Sequence, residues 1–181
     1  DSDRKNMLVA LFGSTVISFA PLFYRYSESN PVTGAFFRMA YALPVLALLI
    51  YFVNSKDSRS PKSRWLAFSA GLLLALDFIG YHTAIDYVGT GIATMIGNSQ
   101  VLIVTLVSWK FLGEKPNKSI LFSLPIVIIG LALISGIWDS DPYGEDPLRG
   151  VIAGIFAAIF YSSFLILYRY SNREMAPAQN L

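Results

Sequence analysis

The chain has 181 residues, 54% hydrophobic and 14% charged, with no cysteine and a formal net charge of +2. A soluble domain carries roughly a quarter charged residues, whereas the mean hydropathy here is +0.52. Disorder, a disulfide-stapled secreted fold and a soluble enzyme are excluded together, and so are thiol catalysis and a cysteine-ligated metal site.

Six apolar stretches follow in chain order, at 6–24, 33–53, 65–88, 91–112, 118–138 and 150–168. Each is long enough to span a membrane, since about 20 helical residues cross a hydrocarbon core of about 30 Å. Their charges are Arg38, Asp77, Asp86, Lys110 and the terminal Lys118; all others lie in the connections. The expectation is an all-α membrane protein with six transmembrane helices. The first stretch is full length and no small-residue cleavage site follows it, so a span is expected there rather than a signal peptide. The connections at 89–90 and 113–117 are so short that the helices they join must be antiparallel neighbours. Pro21, Pro44 and Pro125 each remove a backbone hydrogen bond within a span and predict a kink, as a packing bend or a hinge.

Loop charge predicts orientation. With residues 1–5 cytoplasmic, Arg4, Lys5, Lys56, Arg59, Lys62, Arg64, Lys110, Lys115, Lys118, Arg169 and Arg173 lie inside, and Arg25 and Arg149 outside. Eleven against two places both termini in the cytoplasm. The loop 139–149 (DSDPYGEDPLR) is then external and acidic.

An internal match spans the chain. Ala10, Ser14 and Ser18, at four-residue spacing, precede Tyr24-Arg25-Tyr26-Ser27; Gly154, Ala158 and Ser162 precede Tyr168-Arg169-Tyr170-Ser171 at a constant offset of 144. Small residues at this spacing let helix backbones approach closely. The two copies run in opposite directions, the pattern of a transporter built from inverted repeats; a chance likeness of two aromatic, basic helix ends is the alternative. Residues 1–137 are the expected first five-helix unit, 138–149 an extracytoplasmic loop, and 150–181 the first helix of a second, incomplete unit. The chain begins at Asp1 and the second copy stops after one helix. Either about four more helices complete it in a 5+5 arrangement, or this half pairs with another copy.

Gly80-Tyr81-His82-Thr83-Ala84-Ile85-Asp86-Tyr87-Val88-Gly89-Thr90-Gly91-Ile92-Ala93-Thr94, the run to Phe111-Leu112 and Gly113-Glu114-Lys115-Pro116 resemble the drug/metabolite transporter superfamily, and within it the EamA-type branch. That resemblance, carried also by Gly130 in the fifth span, covers nearly the whole chain. It implies ten helices in two units around a central cavity that opens alternately to each side, lined by helices one, three, four and six. One departure is that Asn98-Ser99-Gln100 stands where many members carry a proline, so the cavity wall is expected to be polar.

Polar residues within spans mark the candidate pathway, because a polar stripe facing lipid is costly. Thr90, Thr94, Asn98, Thr105 and Ser108 form such a stripe, unless its hydroxyls satisfy their own i−4 carbonyls. In a continuous helix Gln100 points about 200° from Asn98, so the two amides are not expected to serve one surface. Asp77 lies 13 residues into the third stretch. Low dielectric disfavours a bare charge, which makes Asp77 the expected site of proton uptake and release. Tyr81 shares its face; His82 is rotated about 140° away. Arg38 either pairs with Asp77, receives a substrate carboxylate or snorkels to the interface. A lone histidine is expected to pack rather than bind metal, and no metal or other cofactor is expected. Glu114 is expected to cap the fifth helix or pair with a lysine.

The candidate substrate-pathway residues are therefore Ser14, Ser18, Asp77, Tyr81, His82, Thr94, Asn98, Gln100 and Tyr161, with Asp77 and Arg38 as the proton or charge site. The expected function is secondary transport or export of small organic metabolites, amino acids or amphipathic and aromatic solutes among them, by alternating access with proton coupling. A non-transporting assembly subunit and an intramembrane enzyme using Asp77 and His82 are the alternatives. The enzyme lacks support: no GxSxG, HExxH or paired-carboxylate motif is present. The partners expected are a small-molecule solute, the lipid bilayer and the missing half or a second copy, with no nucleic acid. The expected location is the plasma membrane, which in a bacterium is the inner membrane.

Overall fold

The computed structural model describes residues 2–53, 60–113, 115–134 and 145–171. These residues form α1 (Ser2–Ser18), α2 (Ala20–Tyr26), α3 (Pro31–Val53), α4 (Pro61–Gly97), α5 (Gln100–Leu112), α6 (Lys118–Ile134) and α7 (Pro147–Ser171), with no strand among them. Glu114, Lys56, Arg59, Arg173 and most of the acidic loop lie outside the described residues.

Three helices start with the same device, a capping side chain followed by proline. Asn30 Oδ1 accepts from the Val32 and Thr33 amides at 2.9 and 3.1 Å. Ser60 Oγ accepts from the Ser63 amide at 3.2 Å, and Asp146 Oδ1 from the Arg149 amide at 3.1 Å. The cap satisfies an amide that has no partner inside the helix, and proline at the first position gives up an N–H that would be unpaired anyway. At the other end of α5, Gly113 closes the helix in the left-handed conformation, with φ 70°.

Four helical runs are long and apolar enough to cross a membrane: Asn6–Tyr26, Pro31–Leu49, Pro61–Lys110 and Pro147–Ser171, beside the shorter Lys118–Leu133. The molecule is an all-α membrane protein.

Two of the expected spans are not continuous helices. The first breaks at Ser18–Phe19, where Phe19 donates to Val16 O over three residues at 3.3 Å. Pro21 explains the break: it has no N–H to offer, and its ring crowds the carbonyl of Ile17 four residues earlier. The fourth breaks at Asn98–Ser99, between α4 and α5. The third and fourth stretches are joined at Gly89, with φ 77° and ψ 166°, a conformation that favours glycine. The chain folds back there. Tyr81 and Thr94 would lie about 20 Å apart along a straight helix, yet their hydroxyls are 2.6 Å apart.

The core lies between the folded α4 and α7. Ala84, Ile85, Val88, Ala93 and Ile96 cluster with Tyr24, while α7 buries Gly150, Gly154, Ala157, Ala158 and Ser162. The small residues at four-residue spacing on α7 allow the close approach, which lets many weak dispersion contacts act where no hydrophobic drive separates protein from lipid. Their counterparts on α1, Ala10, Ser14 and Ser18, are exposed. Large apolar side chains also stand exposed on α1, α3 and α6, among them Phe12, Phe36, Tyr41, Phe122 and Ile126. A surface this apolar suits lipid or further helices, not water.

Candidate functional site

Five helices line a cavity of about 350 Å³. Leu74, Asp77, Phe78 and Tyr81 line it from the first limb of α4, and Thr94, Gly97 and Asn98 from the second. Gln100 borders it from α5, Arg38 from α3, Ile17 from α1, and Tyr161 and Phe164 from α7. The chain reversal at Gly89 is what sets residues 74–81 opposite 94–98.

Of the residues singled out in the sequence, Arg38, Asp77, Tyr81, Thr94, Asn98, Gln100 and Tyr161 meet at this cavity. Ser14, Ser18 and His82 do not border it. The Ser18 hydroxyl donates to the Ser14 carbonyl at 2.7 Å, a bond within its own helix. Asn98 and Gln100 share the surface that a straight helix would deny them, because the break at Asn98–Ser99 resets the direction of the second residue.

Arg38 and Asp77 do not close an ion pair. The Arg38 guanidinium instead sits 4.2 Å from the centre of the Phe78 ring, within the range of a cation–π contact. Asp77 is 9% exposed and its carboxylate has no hydrogen bond or ion pair among the described residues. The side-chain amides of Asn98 and Gln100 are equally without intramolecular partners among those residues. Tyr81 and Thr94 differ: their hydroxyls bond to each other, and Thr94 also donates to the Thr90 carbonyl at 2.6 Å. The cavity thus presents a cation, a carboxyl group and two amides whose hydrogen-bonding capacity is unspent, surrounded by aromatic rings. Such groups are costly in a membrane unless water or a ligand meets them.

A second polar cluster occupies the Gly89 end of α4. The Tyr24 ring stacks on His82 with centroids 3.8 Å apart and planes 6° from parallel. The Tyr24 hydroxyl donates to the Asp86 carboxylate at 3.1 and 3.2 Å. His82 Nδ1 lies 3.4 Å from the Pro31 carbonyl; that oxygen only accepts, so Nδ1 carries the proton. Nε2 is buried with no partner among the described residues. Gly34 makes room for the stack, since a Cβ there would fall 2.6 Å from the Tyr24 ring. His82 therefore packs, tying α2, α3 and α4 together.

Phe78, Leu74, Gly97, Phe164 and Ile17 line the cavity without having been singled out in the sequence. Phe164 lies three residues from Tyr161, and Leu74 three before Asp77, so extending each candidate along its helix face identifies both.

The model of the EamA-like transporter family matches residues 4–136. The chain belongs to this family. It is similar to probable purine permease 13 of Arabidopsis thaliana, 26% identical over 145 residues that cover 75% of this chain and 40% of the relative. It is also similar to an uncharacterized transporter of Helicobacter pylori, 25% identical over 176 residues, covering 91% of this chain and 58% of the relative. The chain thus spans about half the length of the curated relatives it matches. No solved structure matches it. As a member of this family the chain is a multi-pass membrane protein.

Proposed function

We infer that the protein acts as a secondary transporter of small organic metabolites by alternating access, and that the cavity around Asp77 receives the solute. One observation carries this reading: Arg38, Asp77, Asn98 and Gln100 converge on one membrane cavity while none of their side-chain polar groups is hydrogen-bonded among the described residues. Aromatic walls beside a cation and a carboxyl group suit amphipathic, aromatic or amino-acid-like solutes. Asp77 carries the proton whose movement drives transport, as a carboxyl without a fixed partner in low dielectric is suited to do. The names of its relatives, a permease and a transporter, agree with this class.

The fifty-residue run Pro61–Lys110 counts as two spans because it folds back at Gly89. With residues 118–138 this makes six spans, both termini cytoplasmic by the loop charges. Residues 1–137 form one five-helix unit, and 150–181 open an inverted second one. One structural likeness supports the repeat: Ser27 Oγ donates to Tyr24 O at 2.7 Å and Ser171 Oγ to Tyr168 O at 2.9 Å, the same bond at matched positions.

Solute counterflow in liposomes carrying the full-length protein tests this reading. Exchange of labelled for unlabelled solute above that of empty liposomes is expected. A correctly folded protein that exchanges nothing from a broad panel of amino acids and heterocycles would overturn it.

A further inference from the structure

The break at Asn98–Ser99 has its own hydrogen-bonding geometry. Ser99 N donates to Ile96 O at 3.0 Å, Val101 N to Asn98 O at 3.2 Å and Leu102 N to Ser99 O at 2.9 Å. These bonds reach back three residues, so the chain winds more tightly than an α-helix. A buried side chain on α7 fixes the restart: Ser162, 1% exposed, lies with its hydroxyl 3.3 Å from the Gln100 carbonyl and 2.6 Å from the Ala158 carbonyl. The cavity-facing position of Gln100 is therefore held by packing on α7.

Each carboxamide carries an N–H donor beside a C=O acceptor. Two such groups border one cavity, and among the described residues neither has a protein partner. A solute edge that places a donor next to an acceptor can satisfy a carboxamide with two parallel hydrogen bonds, as asparagine and glutamine do with a nucleobase edge. A lactam edge in a planar ring has that pattern. Phe78, Tyr161 and Phe164 border the same cavity, and aromatic faces stack on flat heterocycles with little regard to their substituents.

Resting on the transporter reading above, we propose that Asn98 and Gln100 form a paired-amide recognition site for planar heteroaromatic solutes bearing a lactam edge. The helix break makes the site, and the two amides determine which solutes the transporter accepts. The rings supply affinity; the amides supply discrimination. A site built to hydrogen-bond a substrate group rejects the analogue lacking it, because its own polar groups are left unpaired.

The test uses the full-length protein in liposomes, with labelled hypoxanthine and uracil in counterflow and 1-methylhypoxanthine and 1,3-dimethyluracil as competitors with a blocked edge. The methylated rings are expected to compete at least about tenfold less well than their parents. In Asn98→Leu and Gln100→Leu that ratio falls to within about threefold, since the groups that read the edge are gone. Size-exclusion profiles check folding, and Asn98→Ala and Gln100→Ala replace any leucine variant that is not monodisperse. An unchanged ratio in the variants overturns the proposal. So does exchange of labelled leucine without exchange of either heterocycle, a result that leaves the transporter reading standing. Exchange of no solute at all removes both.

Discussion

Two polar clusters lie on α4, a few residues apart, and they are built in opposite ways. At the Gly89 end, Tyr24 and Asp86 bond to each other, and His82 stacks on the Tyr24 ring with Nε2 unpartnered among the described residues. One to two turns away, Asp77, Arg38, Asn98 and Gln100 border a cavity, and among the described residues none of their side chains makes a hydrogen bond. Both clusters face the same cost of polarity in a membrane. The first meets it within the protein and works as a clasp between helices. On the proposed transporter reading the second meets it when water or a solute enters the cavity, so partnering within the protein separates the two clusters more sharply than residue type does.

Substitutions in the two clusters are expected to fail in different assays. The largest effect is expected from Asp77→Asn: proteoliposome transport loses its dependence on an imposed pH gradient, while the thermal midpoint barely moves. Retained dependence would break the comparison at its functional end. Next is Gly34→Ala, which drives a methyl group into the Tyr24 ring. A loss of about 1–3 kcal/mol is expected from overpacking, read as a lowered melting temperature in detergent, with the solute preference unchanged. Tyr24→Phe keeps the stack and removes the bond to Asp86, at about 1.5 kcal/mol for a hydrogen bond to a charged group. The smallest effect belongs to His82→Phe, which keeps an aromatic face on Tyr24 and deletes the unpartnered Nε2. Its stability is expected within about 1 kcal/mol of the parent, with either sign. A large transport defect in His82→Phe would move this residue out of the clasp and into the pathway.

Much of the architecture was legible because hydrophobic length is a strong signal. The six apolar stretches all contain helices where the structure describes them, and the chain reverses at Gly89, inside the expected turn. The helix breaks were not legible from periodicity, which presumes a continuous helix. That presumption set Asn98 and Gln100 on opposite sides, and a tightened turn of two residues undid it. Pro21 was read as a kink, and a full break is the stronger form of the same missing hydrogen bond. The starts of α3, α4 and α7 fell two to four residues before the apolar stretches. Asn30-Pro31, Ser60-Pro61 and Asp146-Pro147 announce them in the sequence, through capping rather than hydropathy. For the site, Asp77 and Tyr81 could be paired along one helix face. The ring that holds Arg38 and the stack on His82 are tertiary, and no spacing along the chain encodes them.

The tight seam between α4 and α7 also bears on how the protein is made. The small face of α4, around Gly80, Ala84 and Val88, has its partner among Gly150, Ala153, Gly154 and Ala157. Those residues leave the ribosome some sixty to eighty positions later, so this close-packed contact is also a late one. Contacts between distant parts of a chain form slowly because a long loop must be closed first. During synthesis the folded-back α4 must therefore wait in the bilayer with its closest-packing surface uncovered. A chain halted between α6 and α7 would have five of its six apolar stretches made and the close-packing face of α4 still without its partner.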